Sequence, residues 1–147
     1  MEVRTHSLEE FKEQVTEFAR GLRPRADAAT VVALSGDLGA GKTTFVQAVA
    51  KELGIKDQLA SPTFVIEKIY EIRHPVSNFR RFIHIDAYRL KGGHDLEVLG
   101  WRELTTDPAN LIFLEWPENV SEAVPSSAIP ISLQTNDAER VITYGTI

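Results

Sequence analysis

The sequence contains no cysteine. A disulfide framework, a thiolate nucleophile and zinc or iron–sulfur centres with cysteine ligands are therefore excluded. The four histidines have neither the H-E-x-x-H spacing nor another spacing that would place two of them as metal ligands on one helical face. The common histidine motifs for zinc are excluded as well.

Long apolar runs and an excess of positive charge are also missing. No run approaches the roughly 18 apolar residues that a membrane span requires. Residues 1–7 have no apolar stretch typical of a signal peptide. We therefore expect a cytoplasmic protein that makes no membrane contact. The net charge is −5, whereas a protein that binds nucleic acid by itself usually presents a basic face. If the chain acts on a nucleic acid, we expect other chains to hold it.

The composition that remains is that of an ordinary globular protein. The 147 residues are 43% hydrophobic and 25% charged, and a chain of this length can bury a stable core. Residues 1–147 contain no repeat, linker or low-complexity tract. We expect one domain spanning the whole chain.

Helical and strand-like patterns follow one another along the chain. An amphipathic helix is predicted over residues 7–22, because Ser7 and Glu10 form an S-x-x-E capping box before apolar residues at intervals of three and four. The apolar runs 29–34 and 111–114 are typical of strands buried on both faces. Further strands are predicted at 64–72, 81–87, 129–135 and 141–144, with a hairpin connection at 74–78 and a short helix over 95–104.

The segment Gly36-x4-Gly41-Lys42-Thr43 is a complete Walker A sequence. It lies between a predicted strand and a predicted helix, which is the context the motif requires. Glycines allow the backbone amides of residues 39–44 to surround phosphate oxygens at the helix N-terminus. Lys42 would reach the β- and γ-phosphates of a nucleoside triphosphate, and the Thr43 hydroxyl would bind Mg²⁺. The predicted nucleotide-binding residues of this loop are Gly36, Asp37, Leu38, Gly39, Ala40, Gly41, Lys42, Thr43 and Thr44.

Two carboxylates each follow an apolar run that reads as a strand. Asp86 follows residues 82–85, and Glu115 follows residues 111–114. Parallel-sheet folds place their ligands at the carboxyl ends of the strands, so both side chains are candidates for the site. One should hold the metal, and the other could orient or deprotonate the attacking water. The residues alone do not decide which acid holds the metal and which acts on the water. With Lys42, these acids form the candidate catalytic set.

The absence of two motifs limits which classes of nucleotide-binding enzyme the sequence can belong to. There is no Asn-Lys-x-Asp segment for guanine and no Leu-Ser-Gly-Gly-Gln segment of a transport ATPase. Adenine is therefore expected by elimination. A P-loop kinase for a small molecule and a nucleotide-gated binding module without turnover remain as alternatives. The arginines that a kinase lid would need are spread over several predicted elements.

Four ordered blocks lie at residues 36–45, 61–64, 84–90 and 114–118, the last being Leu-Glu-Trp-Pro-Glu. Together they resemble the TsaE family of small bacterial P-loop ATPases. The resemblance implies an α/β, three-layer fold of the P-loop NTPase type. Its sheet would be mixed and mostly parallel, with helices on both faces and antiparallel edge strands. It also implies a role in forming threonylcarbamoyladenosine on certain tRNAs.

The resemblance further assigns roles to residues and partners. Thr43 and Glu115 would be the Mg²⁺ ligands, and Asp86 the second acid needed for hydrolysis. Thr63 would lie in a switch-like segment that senses the γ-phosphate, and Trp116 would flank the nucleotide. ATP hydrolysis would support repeated turnover by an ASKHA-fold heterodimer of the threonylcarbamoyl transferase and its paralogue. This chain would act on tRNA only indirectly, through that heterodimer. His84 is expected to be a hydrogen-bonded strand residue, and Trp101 a core residue.

Overall fold

The computed structural model describes residues 1–37, 39–55, 67–73 and 78–145 of the chain. Within them lies one seven-stranded sheet flanked by helices. The strands are β1 Glu2–Thr5, β2 Thr30–Gly36, β3 Glu67–Glu71, β4 Arg81–Asp86, β5 Asn110–Glu115, β6 Ile129–Asn136 and β7 Glu139–Tyr144. The helices are α1 Leu8–Gly21, α2 Lys42–Glu52, α3 Gly93–Val98 and α4 Trp101–Thr106, followed after β5 by a 3-10 segment, Pro117–Ala123.

The sheet has the strand order β1-β7-β6-β2-β5-β4-β3. Its four central strands, β6, β2, β5 and β4, run parallel to one another. The outer strands β3, β7 and β1 are antiparallel to their neighbours, as predicted for the edges. The expectation of a mostly parallel sheet was wrong. Three of the six pairings among the described strands are antiparallel, because the unpredicted strand β1 extends the β6–β7 pair by one more antiparallel partner.

Helices cover both faces of the sheet, as predicted. Successive strand residues point to opposite faces, and the core is accordingly divided in two. On one face, α1 and α2 pack through Phe11 and Phe45 against Phe113 of β5. On the other face, α3 and α4 pack through Leu96 and Trp101 against Ile112 of the same strand.

Helix α1 forms where the sequence predicts it, and α2 is followed by a glycine. Ser7 caps α1 by accepting the Glu10 backbone N–H at 3.0 Å, although the Glu10 carboxylate accepts the N–H of His6 instead of that of Ser7. The helix ends at Gly21. After α2, Gly54 adopts the left-handed conformation with φ of +81°, which favours glycine at a helix C-terminus.

Two local predictions were wrong. The helix expected over 95–104 is two helices, α3 and α4, because Gly100 adopts φ of +84° between them. Strand β1 was not predicted at all, since its four residues show too little apolar alternation. Residues 74–77 of the predicted connection 74–78 lie outside the described residues, as do residues 64–66 of the predicted strand 64–72. In the part of the chain that is described, no helix combines the length and hydropathy that a membrane crossing needs.

Candidate active site

The predicted phosphate-binding residues lie in the connection from β2 to α2. Gly39 and Gly41 have φ of +83° and +105°, a region that side-chain-bearing residues rarely adopt. Position 36 requires glycine for a different reason, since a Cβ there would lie 2.9 Å from the carbonyl oxygen of Leu133 in β6. The glycine spacing of the motif therefore matches the backbone that it forms. Leu38 lies outside the described residues.

Helix α2 begins directly after this connection. Gly41 is its N-cap residue, and no side chain caps that end. Thr43 and Thr44 occupy the first turn, where backbone N–H groups have no partner within the helix. The positive end of the helix dipole lies at the same place. The start of α2 thus has the donors and the field that suit a phosphate group.

Lys42 is buried at the edge of this site, with 6% of its surface exposed. Its Nζ donates a hydrogen bond to the carbonyl oxygen of Gly36 and lies 3.8 Å from the centre of the Trp116 ring. Burial lowers the pKa of the Lys42 ammonium group, and the charges of Glu115 and Asp86 oppose that shift. The lysine is therefore a partly desolvated cation in a field of carboxylates.

The two predicted acids lie side by side at the carboxyl edge of the sheet. Asp86 ends β4 and Glu115 ends β5, and the parallel register pairs these two residues. The ladder continues one residue further, because the Ala87 N–H donates to the Glu115 carbonyl at 2.9 Å. Both side chains point to the face covered by α1 and α2, by the alternation from Phe82 and Phe113. The structure therefore brings both acids to one place.

Asp86 has an unusual environment for a carboxylate. Burial is the main cause that raises its pKa above the ordinary value, and the charge of Glu115 adds to the shift. The Tyr88 backbone N–H, which donates to Asp86 Oδ1 at 2.9 Å, opposes it. A carboxylate with a raised pKa is a better proton acceptor than an ordinary one. This property suits a group that takes a proton from water.

Glu115 is almost fully buried and has a histidine partner. Its Oε2 is hydrogen-bonded to Nε2 of His84, and the two residues are 4% and 3% exposed. The prediction that His84 is a hydrogen-bonded strand residue is confirmed. Its partner was not predicted, because the pairing depends on β4 and β5 being neighbours in this register.

Trp116 follows Glu115 in a left-handed conformation, with φ of +59°. Its ring packs against that of Tyr88 with 5.1 Å between centroids. The Asn119 side chain donates to the carbonyls of Ala87 and Tyr88, each at 3.1 Å. The segments that follow the two acids are thus tied to each other. The prediction that Trp101 is a core residue is also confirmed, since it is 4% exposed on the opposite face.

Oxygen donors dominate the chemistry of this site. The carboxylates of Asp86 and Glu115 and the hydroxyl of Thr43 are hard ligands of the kind that Mg²⁺ prefers. Within the described ranges, no cluster of three or more His, Cys, Asp or Glu side chains is arranged to enclose a metal ion. Mg²⁺ usually takes one or two protein carboxylates and completes its shell with water and phosphate. Thr63 lies outside the described residues.

Comparison with known proteins gives consistent matches over most of the chain. The family model described as "Threonylcarbamoyl adenosine biosynthesis protein TsaE" matches residues 9–142. Proteins named tRNA threonylcarbamoyladenosine biosynthesis protein TsaE are among the relatives. The one from Borreliella burgdorferi is 36% identical over 67% of this chain and 68% of its own length. The one from Rickettsia felis is 34% identical over 90% of this chain and 71% of its own length.

A solved structure agrees with these matches at the level of the fold. The crystal structure of Bacillus subtilis YdiB superimposes with a TM-score of 0.75 and 29% sequence identity. The match covers 100% of this chain and 85% of that one.

Proposed function

The chain belongs to the TsaE family, and from this premise we propose that it is a Mg²⁺-dependent ATPase with a P-loop NTPase-like fold. We propose that it acts in the formation of threonylcarbamoyladenosine on tRNA, the process that the names of its relatives state. One observation carries the proposal. A Walker A loop, its lysine and two strand-end acids meet at the same edge of the sheet.

The triphosphate would bind at the start of α2. Backbone N–H groups of residues 39–44 would donate to phosphate oxygens, aided by the helix dipole. Lys42 would exchange its bond to the Gly36 carbonyl for one to the β- and γ-phosphates. That exchange is favoured because a carbonyl is a neutral dipole, whereas a phosphate group carries a net negative charge.

The metal site fits the residues around it. Thr43 and Glu115 would hold Mg²⁺, which supplies charge neutralisation on the phosphate oxygens when bound. Glu115 has an advantage as a ligand, since its burial and its bond to His84 limit the positions that its carboxylate can take. Asp86, next to it in register, stays available for the water.

Asp86 would orient the attacking water and accept its proton. The raised pKa of its carboxyl brings the group closer to the working pH, where a general base is most effective. Its backbone contacts to Tyr88 and, through Ala87, to β5 hold the carboxylate in place. A small shift of this group should therefore reduce the rate more than it reduces nucleotide affinity.

ATP hydrolysis by this chain would support repeated turnover of the transferase that modifies the tRNA. The proposed partner is the heterodimer of the threonylcarbamoyl transferase and its paralogue. The net charge of −5 is consistent with a protein that leaves the tRNA backbone to its partners. We expect slow hydrolysis by the isolated chain, since P-loop enzymes often need a partner to complete the site.

A reconstituted tRNA threonylcarbamoylation assay tests this function. It would contain the transferase heterodimer, tRNA and the other substrates, with and without this chain and ATP. We expect multiple turnovers only when both are present, and no support from a Lys42→Ala variant whose folding is verified by circular dichroism.

Three outcomes would contradict the proposal. Turnover that does not need this chain would remove its role in the pathway. ATP that stays intact while it changes partner affinity would identify a nucleotide-gated binding module. A phosphorylated small molecule formed in step with ADP would identify a kinase.

A further inference from the structure

We infer that His84 is a positioning residue, which fixes the Glu115 carboxylate so that one of its oxygens faces the Mg²⁺ of the nucleotide complex. The inference deepens the proposed function and rests on it. Neither the Walker A motif nor the two strand-end acids require a histidine at this place. The geometry of β4 and β5 puts it there.

The position of His84 follows from strand register. His84 lies opposite Phe113, and Asp86 lies opposite Glu115 two residues further along the same pair of strands. Since side chains repeat every two residues, all four point to the face covered by α1 and α2. His84 is therefore the side chain directly behind the two acids, seen from the carboxyl edge of the sheet.

The hydrogen bond divides the Glu115 carboxylate into two unequal oxygens. A carboxylate that binds Mg²⁺ can only accept hydrogen bonds, so in the proposed complex Nε2 of His84 would be the donor and Oε2 of Glu115 the acceptor. Oε1 is the oxygen that this bond leaves for a metal. A donor behind a ligating carboxylate restricts its rotation and so prepares it for the ion.

A purely structural role explains this pair less well. The strand residues around it on this face are aromatic, with Phe82 and Phe113 stacked at 5.5 Å, and both partners are nearly fully buried. Buried ionic pairs seldom stabilise a fold more than well-packed apolar side chains of similar volume. A histidine–carboxylate pair at this depth is better explained by what the carboxylate does.

Two nearly isosteric variants isolate the hydrogen bond. His84→Gln can keep an N–H donor near the position of Nε2, and His84→Met has similar volume but no donor. The readout is the Mg²⁺ concentration that gives half-maximal tightening of binding of a non-hydrolysable ATP analogue, measured by calorimetry. We expect His84→Met to raise that concentration about 10- to 100-fold, the usual effect of losing the partner of a metal ligand. His84→Gln should stay within about threefold of the unmodified protein.

Two controls separate a local effect from a general one. ADP binding without Mg²⁺ should be the same in both variants, because it depends on the loop and not on Glu115. In a Glu115→Gln background, the two His84 variants should no longer differ, since the carboxylate that His84 positions is gone. Equal Mg²⁺ dependence of His84→Met and the unmodified protein, or equal impairment of both His84 variants, would overturn the inference.

A measurement on the unmodified protein decides the matter even if His84→Met does not fold. The Nε2 proton of His84 can be followed by ¹⁵N NMR and assigned by its loss in His84→Gln. We expect it to stay protected from exchange with water after Mg²⁺ and the ATP analogue are added. Rapid exchange after that addition would show that the bond breaks on binding, and would overturn the inference. If the unmodified protein binds no Mg²⁺–analogue complex at all, the proposed function fails, and this inference fails with it.

Discussion

The two faces of the sheet bury similar strand residues but differ in what lies at their carboxyl edge. On the face covered by α1 and α2, Lys42, His84 and Glu115 are buried beside a cluster of aromatic rings. On the face covered by α3 and α4, the fully buried side chains in the described residues are apolar except for Asn110. Burial of ionisable groups is costly. In the described residues, the almost fully buried charged or titratable side chains Lys42, His84 and Glu115 lie where the Walker A loop enters α2. On the other face, burial raises the pKa of the less deeply buried Glu67, which lies opposite Ile85.

Asp86→Asn should produce the largest change on the face covered by α1 and α2, which we call the charged face. Loss of the proposed proton acceptor is expected to reduce the rate of ATP hydrolysis about 100- to 10,000-fold, while nucleotide affinity changes by less than about threefold. Single-turnover hydrolysis and calorimetric binding of Mg²⁺–ATP measure the two quantities. The matching variant Glu115→Gln should instead weaken Mg²⁺-dependent binding. Unchanged hydrolysis in both variants would contradict the assignment of the two acids.

Adjacent residues of β5 allow the two faces to be compared directly. Phe113→Ala removes a ring that contacts Phe45 of α2, whereas Ile112→Ala removes apolar volume from the other face. We expect losses of about 4 and about 3 kcal/mol in the free energy of unfolding, measured by urea denaturation. Only Phe113→Ala should also weaken ATP binding per folded molecule, because Phe45 supports the first turn of α2. An equal effect of both variants on binding would remove the functional difference between the faces.

Asp86→Asn should also have a smaller effect, on stability and its dependence on pH. Because burial raises the pKa of Asp86 in the folded state, the ionised carboxylate destabilises the fold when the pH is above that pKa. As the pH falls, the folded form takes up the proton first and this destabilisation disappears. We expect the variant to be more stable by about 1 kcal/mol, or about 2–4 °C, at about pH 8. The difference should vanish near about pH 3, below the ordinary carboxyl pKa, in thermal unfolding followed by circular dichroism. A gain that grows at low pH would contradict the sign of this shift.

The two tryptophans give the mildest test, since Trp116 contacts Lys42 and also packs against the core of the α3 and α4 face, whereas Trp101 belongs to that core. Trp116 lies 3.8 Å from the Lys42 ammonium, whereas Trp101 is buried on the opposite face with its Nε1 donating to the Ala123 carbonyl at 3.0 Å. Addition of Mg²⁺–ATP should change the fluorescence of Trp116, because Lys42 moves to the phosphates. Trp101→Phe should keep the signal and Trp116→Phe should lose it. A signal that follows Trp101 would show that the change is not local to the charged face.

The sequence predicts which residues form the charged face better than it predicts the contacts between them. Residues 36–43 were recognisable because glycine, lysine and threonine at this spacing have a specific chemical task. Strands β2 and β5 were predicted because both faces are buried, which leaves an apolar run. Asp86 and Glu115 followed from their places after such runs. These signals are all local in the chain.

The features that could not be predicted depend on which elements are neighbours. The bond between His84 and Glu115 requires β4 beside β5 in one register, which neither strand encodes alone. The contact of Lys42 with Trp116 joins α2 to the end of β5. Strand β1 has four residues, and in the described part of the chain its partner is β7. In each case tertiary pairing, and not local propensity, decides the structure.

The paired ends of β4 and β5 limit which features of this site sequence changes can alter. Asp86 and Glu115 are held in adjacent strands with Ala87 continuing the ladder, so their backbone separation is the interstrand spacing of about 4.8 Å. Movements of the surrounding loops cannot stretch that distance. Sequence changes in those loops can therefore alter the surroundings of the two acids, while the spacing of their backbones is inherited from the sheet.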